Sequence, residues 1–348
     1  MERPGIRSNR FARESKKGII RFEYTLRQVA RGKATGVECR PYPMLRSFGC
    51  VSLLSVALSA GGAPNGQQPP LFRTGIDLVN LGVTIADKRS NLITDLTQDD
   101  FEIYEDGKKQ TIRYFAAGEA EIGPALHLGV LIDVSESMGE DIEFTKTASI
   151  KFLNRLLDAV DITVVDFDTE VRVARYSQNE FARVVERIRR KKVSGWTALY
   201  DAIGVYLDGA AGQDGRKVML LYTDGGDTRS AIAFHELTDL LKASDATIYA
   251  IGELEHQLQS TRTDQRMKLQ QIAEITGGQA FFPTAVKELD SVYDKVVSQI
   301  RAQYTLGYLS TNEKTDGAWR KVEVKVVRKD GRDLRVRARK GYFAPFKH

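Results

Sequence analysis

The sequence predicts an α/β protein: a doubly wound, mostly parallel sheet, with a flanking β-sandwich formed from N- and C-terminal segments. Three observations carry this. Between residues 124 and 305, apolar runs of strand length alternate with helical periods, as a parallel sheet with crossover helices requires. The blocks on either side, 71–123 and 306–348, read as strands alone. Each is too short for a core of its own, so the two are expected to build one sandwich together.

Taken in order, Asp77–Ala86 is rich in Val, Ile and Leu. Phe101–Tyr104 leads into Glu105-Asp106-Gly107, and the Asp-Gly pair followed by Gln110–Phe115 signals a hairpin. Leu126–Asp133 reads as a strand of the buried type, with Leu126, Leu128 and the run Val130–Ile132. Phe144, Ala148, Phe152 and Leu156 recur every four residues, the stripe of an amphipathic helix. Ile162–Phe167 and Val171–Tyr176 read as a strand and its hairpin partner. Ala198–Leu207 reads as a helix, and Val218–Thr223 and Ala246–Gly252 as two more buried strands. Leu269, Ile272 and Ala273 mark a helix stopped by Gly277-Gly278, and Leu289, Val292, Val296 and Ile300 mark another. Tyr304–Leu309, Val322–Val327 and Leu334–Tyr342 return to strands, with a turn at Lys329-Asp330-Gly331. No repeat of solenoid period is present.

With 348 residues, 42% hydrophobic and 28% charged, the composition is globular. It excludes a collagen-like or mainly disordered chain, and two cysteines exclude a disulfide scaffold. The net charge of +5 is lopsided: residues 1–43 hold eleven Lys/Arg and four Asp/Glu, a net of +7, leaving −2 for the rest. From Gly61 onward 39 basic residues face 42 acidic ones. The positive total therefore belongs to the start of the chain and argues for no nucleic-acid partner.

Residues 44–63 read as a signal peptide: Arg46, an apolar run from Phe48 to Leu58, then small residues ending at Ala60 or Ala63. The run is too short for a spanning helix, which needs about 20 apolar residues. Cys50 lies near the start of that run and not after it, which counts against a lipoprotein. Residues 64–70 read as a linker. The basic extension 1–43 is either an overlong leader or a translation start set too early, with Met44 the true one. The alternative is a basic tail kept on a cytoplasmic protein. Cleavage would remove both Cys39 and Cys50, as suits an exported protein of the periplasm or beyond, touching a membrane only through an uncleaved leader.

The chemistry concentrates at strand ends. Asp133-Val134-Ser135-Glu136-Ser137 follows the first strand of the α/β block, where doubly wound sheets place their ligands. Alone, Asp-x-Ser-x-Ser is common, and Asp133 could simply cap a helix between turn serines. Two further pieces raise it. Asp224 ends the strand Val218–Thr223, and Thr197 lies in the loop Ser194-Gly195-Trp196-Thr197 that opens a helix. Two carboxylates and three hydroxyls are hard oxygen donors suited to Mg²⁺ or Mn²⁺. Zn²⁺ is not suggested, because His127, His235, His256 and His348 form no ligand spacing. Asp227 reads as a helper behind the ligands or, more simply, as the cap of a helix beginning near Ser230, and Asp201 as structural. Trp196 fits a partner contact and a core residue equally, and Arg335, Arg337 and Arg339 read as the solvated outer face of a strand.

Here the chain resembles the von Willebrand factor type A family, whose metal-ion-dependent adhesion site has this three-part order. The resemblance spans roughly 124–305. More narrowly, Leu96-Thr97-Gln98-Asp99-Asp100-Phe101, Glu105-Asp106-Gly107 and Arg339-Lys340-Gly341-Tyr342-Phe343-Ala344-Pro345 resemble exported von Willebrand factor A-related proteins typical of acidobacteria. The family resemblance implies a Rossmann-like domain. It also implies that Ser135 and Ser137 ligate the metal directly, Thr197 directly when ligand is bound, and Asp133 and Asp224 largely through water. The expected partner is a protein offering a Glu or Asp carboxylate, so the chain reads as a non-enzymatic binding or adhesion module. A metal-dependent hydrolase and a metal-free assembly scaffold are the alternatives. The hydrolase has no general base apparent near the ligands, no Gly-x-Ser-x-Gly elbow and no Walker loop.

Overall fold

The computed structural model describes residues 78–118, 124–155, 158–255, 257–327 and 333–346. The leader, the linker, Leu156 and the Lys329-Asp330-Gly331 turn lie outside that set. The chain begins with strands β1 (Val79–Asp87), β2 (Phe101–Glu105), β3 (Lys108–Gln110) and β4 (Ile112–Ala116). The α/β block follows, opening with β5 (Leu126–Asp133), α1 (Ile142–Leu153), β6 (Asp161–Phe167), β7 (Val171–Ser177), α2 (Phe181–Arg189) and α3 (Leu199–Ala211). It continues through β8 (Arg216–Thr223), α4 (Phe234–Ala243), β9 (Thr247–Gly252), α5 (Gln259–Ile275), β10 (Gln279–Phe281) and α6 (Val286–Arg301). Strands β11 (Tyr304–Tyr308), β12 (Trp319–Val326), β13 (Leu334–Arg337) and β14 (Gly341–Phe343) close it.

The block forms a six-stranded sheet of order β10-β9-β8-β5-β6-β7, parallel except for the edge strand β7, which turns back on β6 as a hairpin. Strand β5 is central, and all of it but His127 is buried. Helices α1, α2 and α6 pack on the face formed by Leu126, Leu128, Val130 and Ile132. Helix α3 covers the other face, and there a Cβ on Gly129 would stand 2.2 Å from the Tyr206 ring. Gly129→Ala should therefore lower stability by about 1–3 kcal/mol in urea unfolding. An unchanged midpoint would mean that α3 moves outward without cost.

Each end of the chain supplies two strands to each of two antiparallel sheets, β13-β1-β11-β4 and β14-β12-β2-β3. Between them lies a shared core of Leu81, Val83, Ile85, Phe101, Ile103, Tyr304, Leu306, Tyr308 and Val322. The expected sandwich from both ends is present. Its centre is polar: Glu105, 2% exposed, accepts hydrogen bonds from the hydroxyls of Tyr308 and Tyr342, both at 2.8 Å. Ser310 Oγ donates to it at 2.5 Å, and the buried Arg320 guanidinium lies 3.4 Å away.

Three local expectations are corrected. The turn Asp106-Gly107 has both residues at positive φ, 47° and 83°, as a tight hairpin of this hand requires, but the hairpin partner of β2 ends at Gln110, and the other edge of β2 pairs with β12. The chain then leaves for the other sheet, where β4 pairs with β11. Leu334–Tyr342 likewise splits into β13 and β14, one in each sheet, because the chain turns a corner at 338–340. At that corner Arg339 is not a solvated outer residue. Its guanidinium donates to the carbonyls of Asn80 at 2.6 Å and Ser244 at 3.3 Å, tying the sandwich to the α/β block. Arg337 similarly reaches Gln279.

Candidate metal centre

Three loops at the carboxyl edge of the central sheet assemble the site. The first leaves β5 at Asp133, which is fully buried. Asp133 Oδ1 accepts from the Ser135 amide at 3.0 Å and the Ser135 hydroxyl at 2.6 Å, and Oδ2 accepts from Thr223 Oγ1 at 2.6 Å. The Ser135 and Ser137 hydroxyls lie 3.1 Å apart. A short 3-10 turn, Glu136–Met138, carries Ser137 outward while Met138 is buried beneath it.

The second loop, 194–197, is laced to the first: the Ser194 amide donates to the Val134 carbonyl at 2.9 Å, and the Glu136 amide to the Gly195 carbonyl at 3.1 Å. The third leaves β8. Its Thr228 and Arg229 amides both donate to the Thr197 carbonyl at 2.9 Å, while the Thr197 amide donates to Thr228 Oγ1 at 3.0 Å. Asp224, 2% exposed, accepts from the Gly226 amide at 2.8 Å and from Gln257 Nε2 at 3.0 Å. Asp133, Ser135, Ser137, Thr197 and Asp224 are thus carried by three loops bonded to one another at one sheet edge.

Burial pushes the Asp133 carboxyl up to about 7, and the neighbouring Asp224 charge adds to the rise, against the hydrogen bonds from Ser135 and Thr223. A carboxyl held this way is an unsatisfied demand for positive charge. The donors fit a hard divalent cation: oxygen throughout, with only two carboxylates. Among the described residues no group of three or more His, Cys, Asp or Glu is placed to hold a metal.

Several residues at the site carry no sequence signal that was read. Thr223 and Thr228 orient Asp133 and Thr197, and Gln257 fixes Asp224 from the segment after β9. Glu253 is a third buried carboxyl, 5% exposed, at the end of β9. Its Oε1 accepts from Thr145 Oγ1 at 2.7 Å, and its Oε2 has no hydrogen-bond partner. Burial above all, then the charges of Asp141, Asp133 and Asp224, holds it well above the usual carboxylate range. The strand-end rule that selects Asp133 and Asp224 would also have found Glu253.

One neighbour, Asp227, has a different role from the one expected. The helix after Asp227 begins at Phe234, not near Ser230, because Glu236 closes its first turn on the Ala233 amide at 2.8 Å. Asp227 instead accepts from the Tyr200 amide at 3.2 Å, capping α3 from across the site. Asp201 is structural, holding the Ala231 amide at 2.9 Å. Trp196 is 65% exposed, so it is no core residue.

Residues 127–295 match the family model of the von Willebrand factor type A domain. No curated protein matches the chain. Among solved structures, the pilus adhesin SpaC from Lactobacillus rhamnosus GG is similar at 10% identity, over 71% of this chain and 48% of that one, with a TM-score of 0.43. The chain thus spans about half the length of SpaC. A von Willebrand factor type A protein from Catenulispora acidiphila is similar at 13% identity, over 78% and 76% of the two chains, TM-score 0.44. Manganese-loaded TRAP protein from Plasmodium vivax is similar at 11% identity, over 70% and 100%, TM-score 0.39. Among the described residues no helix is long and apolar enough to cross a membrane.

Proposed function

Residues 127–295 are a von Willebrand factor type A domain, and from that premise we propose that the chain is an exported, non-enzymatic protein-binding module that works through a divalent cation of the Mg²⁺ or Mn²⁺ kind. The observation that carries this is the convergence of Asp133, Ser135, Ser137, Thr197 and Asp224 on three mutually bonded loops. In this reading Ser135, Ser137 and Thr197 hold the ion through hydroxyls, and Asp133 and Asp224 hold it largely through water. When bound, the cation supplies a positive centre for a Glu or Asp carboxylate of a partner protein. The protein's own part is to keep the donors oriented. Thr223 and the Ser135 amide fix Asp133, and Gln257 fixes Asp224. Neutral hydroxyls in place of carboxylates leave the ion's charge available to the partner.

A thermal-shift titration tests it. Mg²⁺ or Mn²⁺ at a hundredfold excess over the dissociation constant should stabilise the wild type by about 2.7 kcal/mol, and Asp133→Ala should abolish the effect. A wild type that does not respond to millimolar metal, or a variant that responds equally, would sink the metal reading in favour of a scaffold. Asp133-dependent turnover of phosphoesters or peptides would favour a hydrolase instead.

A further inference from the structure

Beside Thr197 lies a groove of about 380 Å³ lined by Thr169, Trp196, Thr228 and Arg229. Its walls come from the β6–β7 turn, the loop before α3 and the loop after β8, and the last two also carry the proposed metal centre. The Trp196 amide donates to Thr169 Oγ1 at 2.9 Å, and Ser194 Oγ to Asp168 Oδ2 at 3.2 Å. Arg172 in turn clamps Asp168 with two hydrogen bonds, at 3.0 and 2.7 Å. Gly195 sits at φ +72°, and a Cβ there would stand 2.4 Å from Thr169 Oγ1. The loop is thereby pressed against the turn, and the indole is held outward on fixed backbone.

The lining is chemically specific. Trp196 offers an exposed aromatic face, and Arg229 is exposed with no ion pair or side-chain hydrogen bond among the described residues. The carboxylates nearest in sequence are engaged elsewhere: Asp227 with Tyr200 and Ser230, Asp168 with Arg172, and Glu170 4.0 Å from Arg172. Tryptophan and arginine are both among the residues enriched at interface hot spots. An arginine fork prefers a carboxylate, which it can take in two parallel hydrogen bonds.

We propose that this groove receives a second acidic side chain of the same partner, within two residues of the carboxylate that meets the cation. Consecutive Cα atoms lie about 3.8 Å apart, and every second side chain of an extended segment shares a face. Trp196 and Thr197 are themselves consecutive, so a neighbouring side chain of the bound segment spans the step from metal centre to groove. The partner is then a protein segment carrying paired acidic residues, with Arg229 reading the second and Trp196 packing on its stem. This refinement rests on the metal-centre reading.

The test is a selection of cyclic peptides displayed with one fixed Glu among randomised positions, against the full chain in Mg²⁺. Asp and Glu should be enriched within two residues of the fixed Glu, and the preference should vanish in a parallel selection against Arg229→Glu. A binder so obtained should lose affinity roughly tenfold on Arg229→Ala and on Trp196→Ala. Binders that need Mg²⁺ and Asp133 but show no neighbouring acidic preference would overturn the groove and leave the metal reading standing. Binders with the acidic preference that persist in EDTA and on Asp133→Ala would sustain the groove and overturn the metal reading. A preference unchanged by Arg229→Glu, or no binder at all, would overturn the proposal.

Discussion

The metal-free protein should lose stability as the pH rises from about 4 to about 7, and Asp133→Asn should remove the part of that loss that Asp133 carries. The sign follows from linkage. The folded state holds the Asp133 proton up to about 7, whereas the unfolded chain releases it near 3.8. Between those values the folded state binds more protons, so stability falls with rising pH and levels off above 7. A displacement of about three units is worth roughly 4 kcal/mol. Glu253, also raised by burial, acts in the same direction, while Asp168, lowered by Arg172, acts in the opposite one toward acid. The difference between wild type and Asp133→Asn isolates the group. Since a cation favours the ionised carboxyl, metal-linked stabilisation should grow with pH through the same window and release a proton on binding. Urea unfolding from pH 4.5 to 8, with and without Mg²⁺, measures both slopes. Parallel curves for wild type and Asp133→Asn would refute the account.

Glu105→Ala should destabilise the protein by about 3–5 kcal/mol, the loss seen when one partner leaves a buried ion pair. Arg320 is 3% exposed, and without Glu105 its charge would keep the hydroxyl of Ser310 at 2.8 Å, the carbonyls of Asn312 and Lys314 and the Tyr342 ring, with no carboxylate beside it among the described residues. The hydroxyls of Tyr308 and Tyr342 would lose their acceptor as well. The Glu105 carboxylate, together with burial, pushes the Tyr308 hydroxyl far above its ordinary range. Removing both charges, as in Glu105→Leu with Arg320→Met, should recover part of the loss, because the uncompensated charge is gone and the remaining cost is packing and the hydroxyls of Tyr308 and Tyr342 left without their acceptor. Urea midpoints of the two single variants and the double variant decide this. Additive losses would mean that the pair is not coupled.

The network also accounts for motifs whose purpose cannot be seen in sequence. Glu105-Asp106-Gly107 supplies the acceptor and the tight turn, and Gly341-Tyr342 supplies one of its donors, 237 residues away. In Leu96-Thr97-Gln98-Asp99-Asp100-Phe101, the Asp100 carboxylate accepts from the Thr97 amide at 2.8 Å, and the Leu96 amide donates to the Tyr304 hydroxyl at 3.1 Å. These segments tie the two ends of the chain into one sandwich.

How far the site could be read depended on how local each signal was. Asp133, Ser135 and Ser137 form a contiguous pattern behind an apolar strand, and Asp224 ends another, so strand-end placement found them. Thr223, Thr228 and Gln257 are single polar residues with no period or spacing, and only the folded chain gives them partners. Sequence proximity assigns Asp227 to the helix that follows it, whereas its carboxylate serves the Tyr200 amide in the helix before it. Trp196 was undecided because exposure is a property of the packed molecule, set here by Gly195 and Thr169.

By itself, the sequence determined the alternation of buried strands and amphipathic helices, the sandwich drawn from both ends and the oxygen-donor set, because periodicity and strand-end placement are local properties. Tertiary structure alone decided where β4 and β14 change sheets, that Arg339 docks the sandwich while Arg229 faces solvent, and that a groove opens beside Thr197. Those features depend on which residues meet across one or two hundred positions of chain, and burial, hydrogen-bond satisfaction and charge pairing settle that only once the layers have packed.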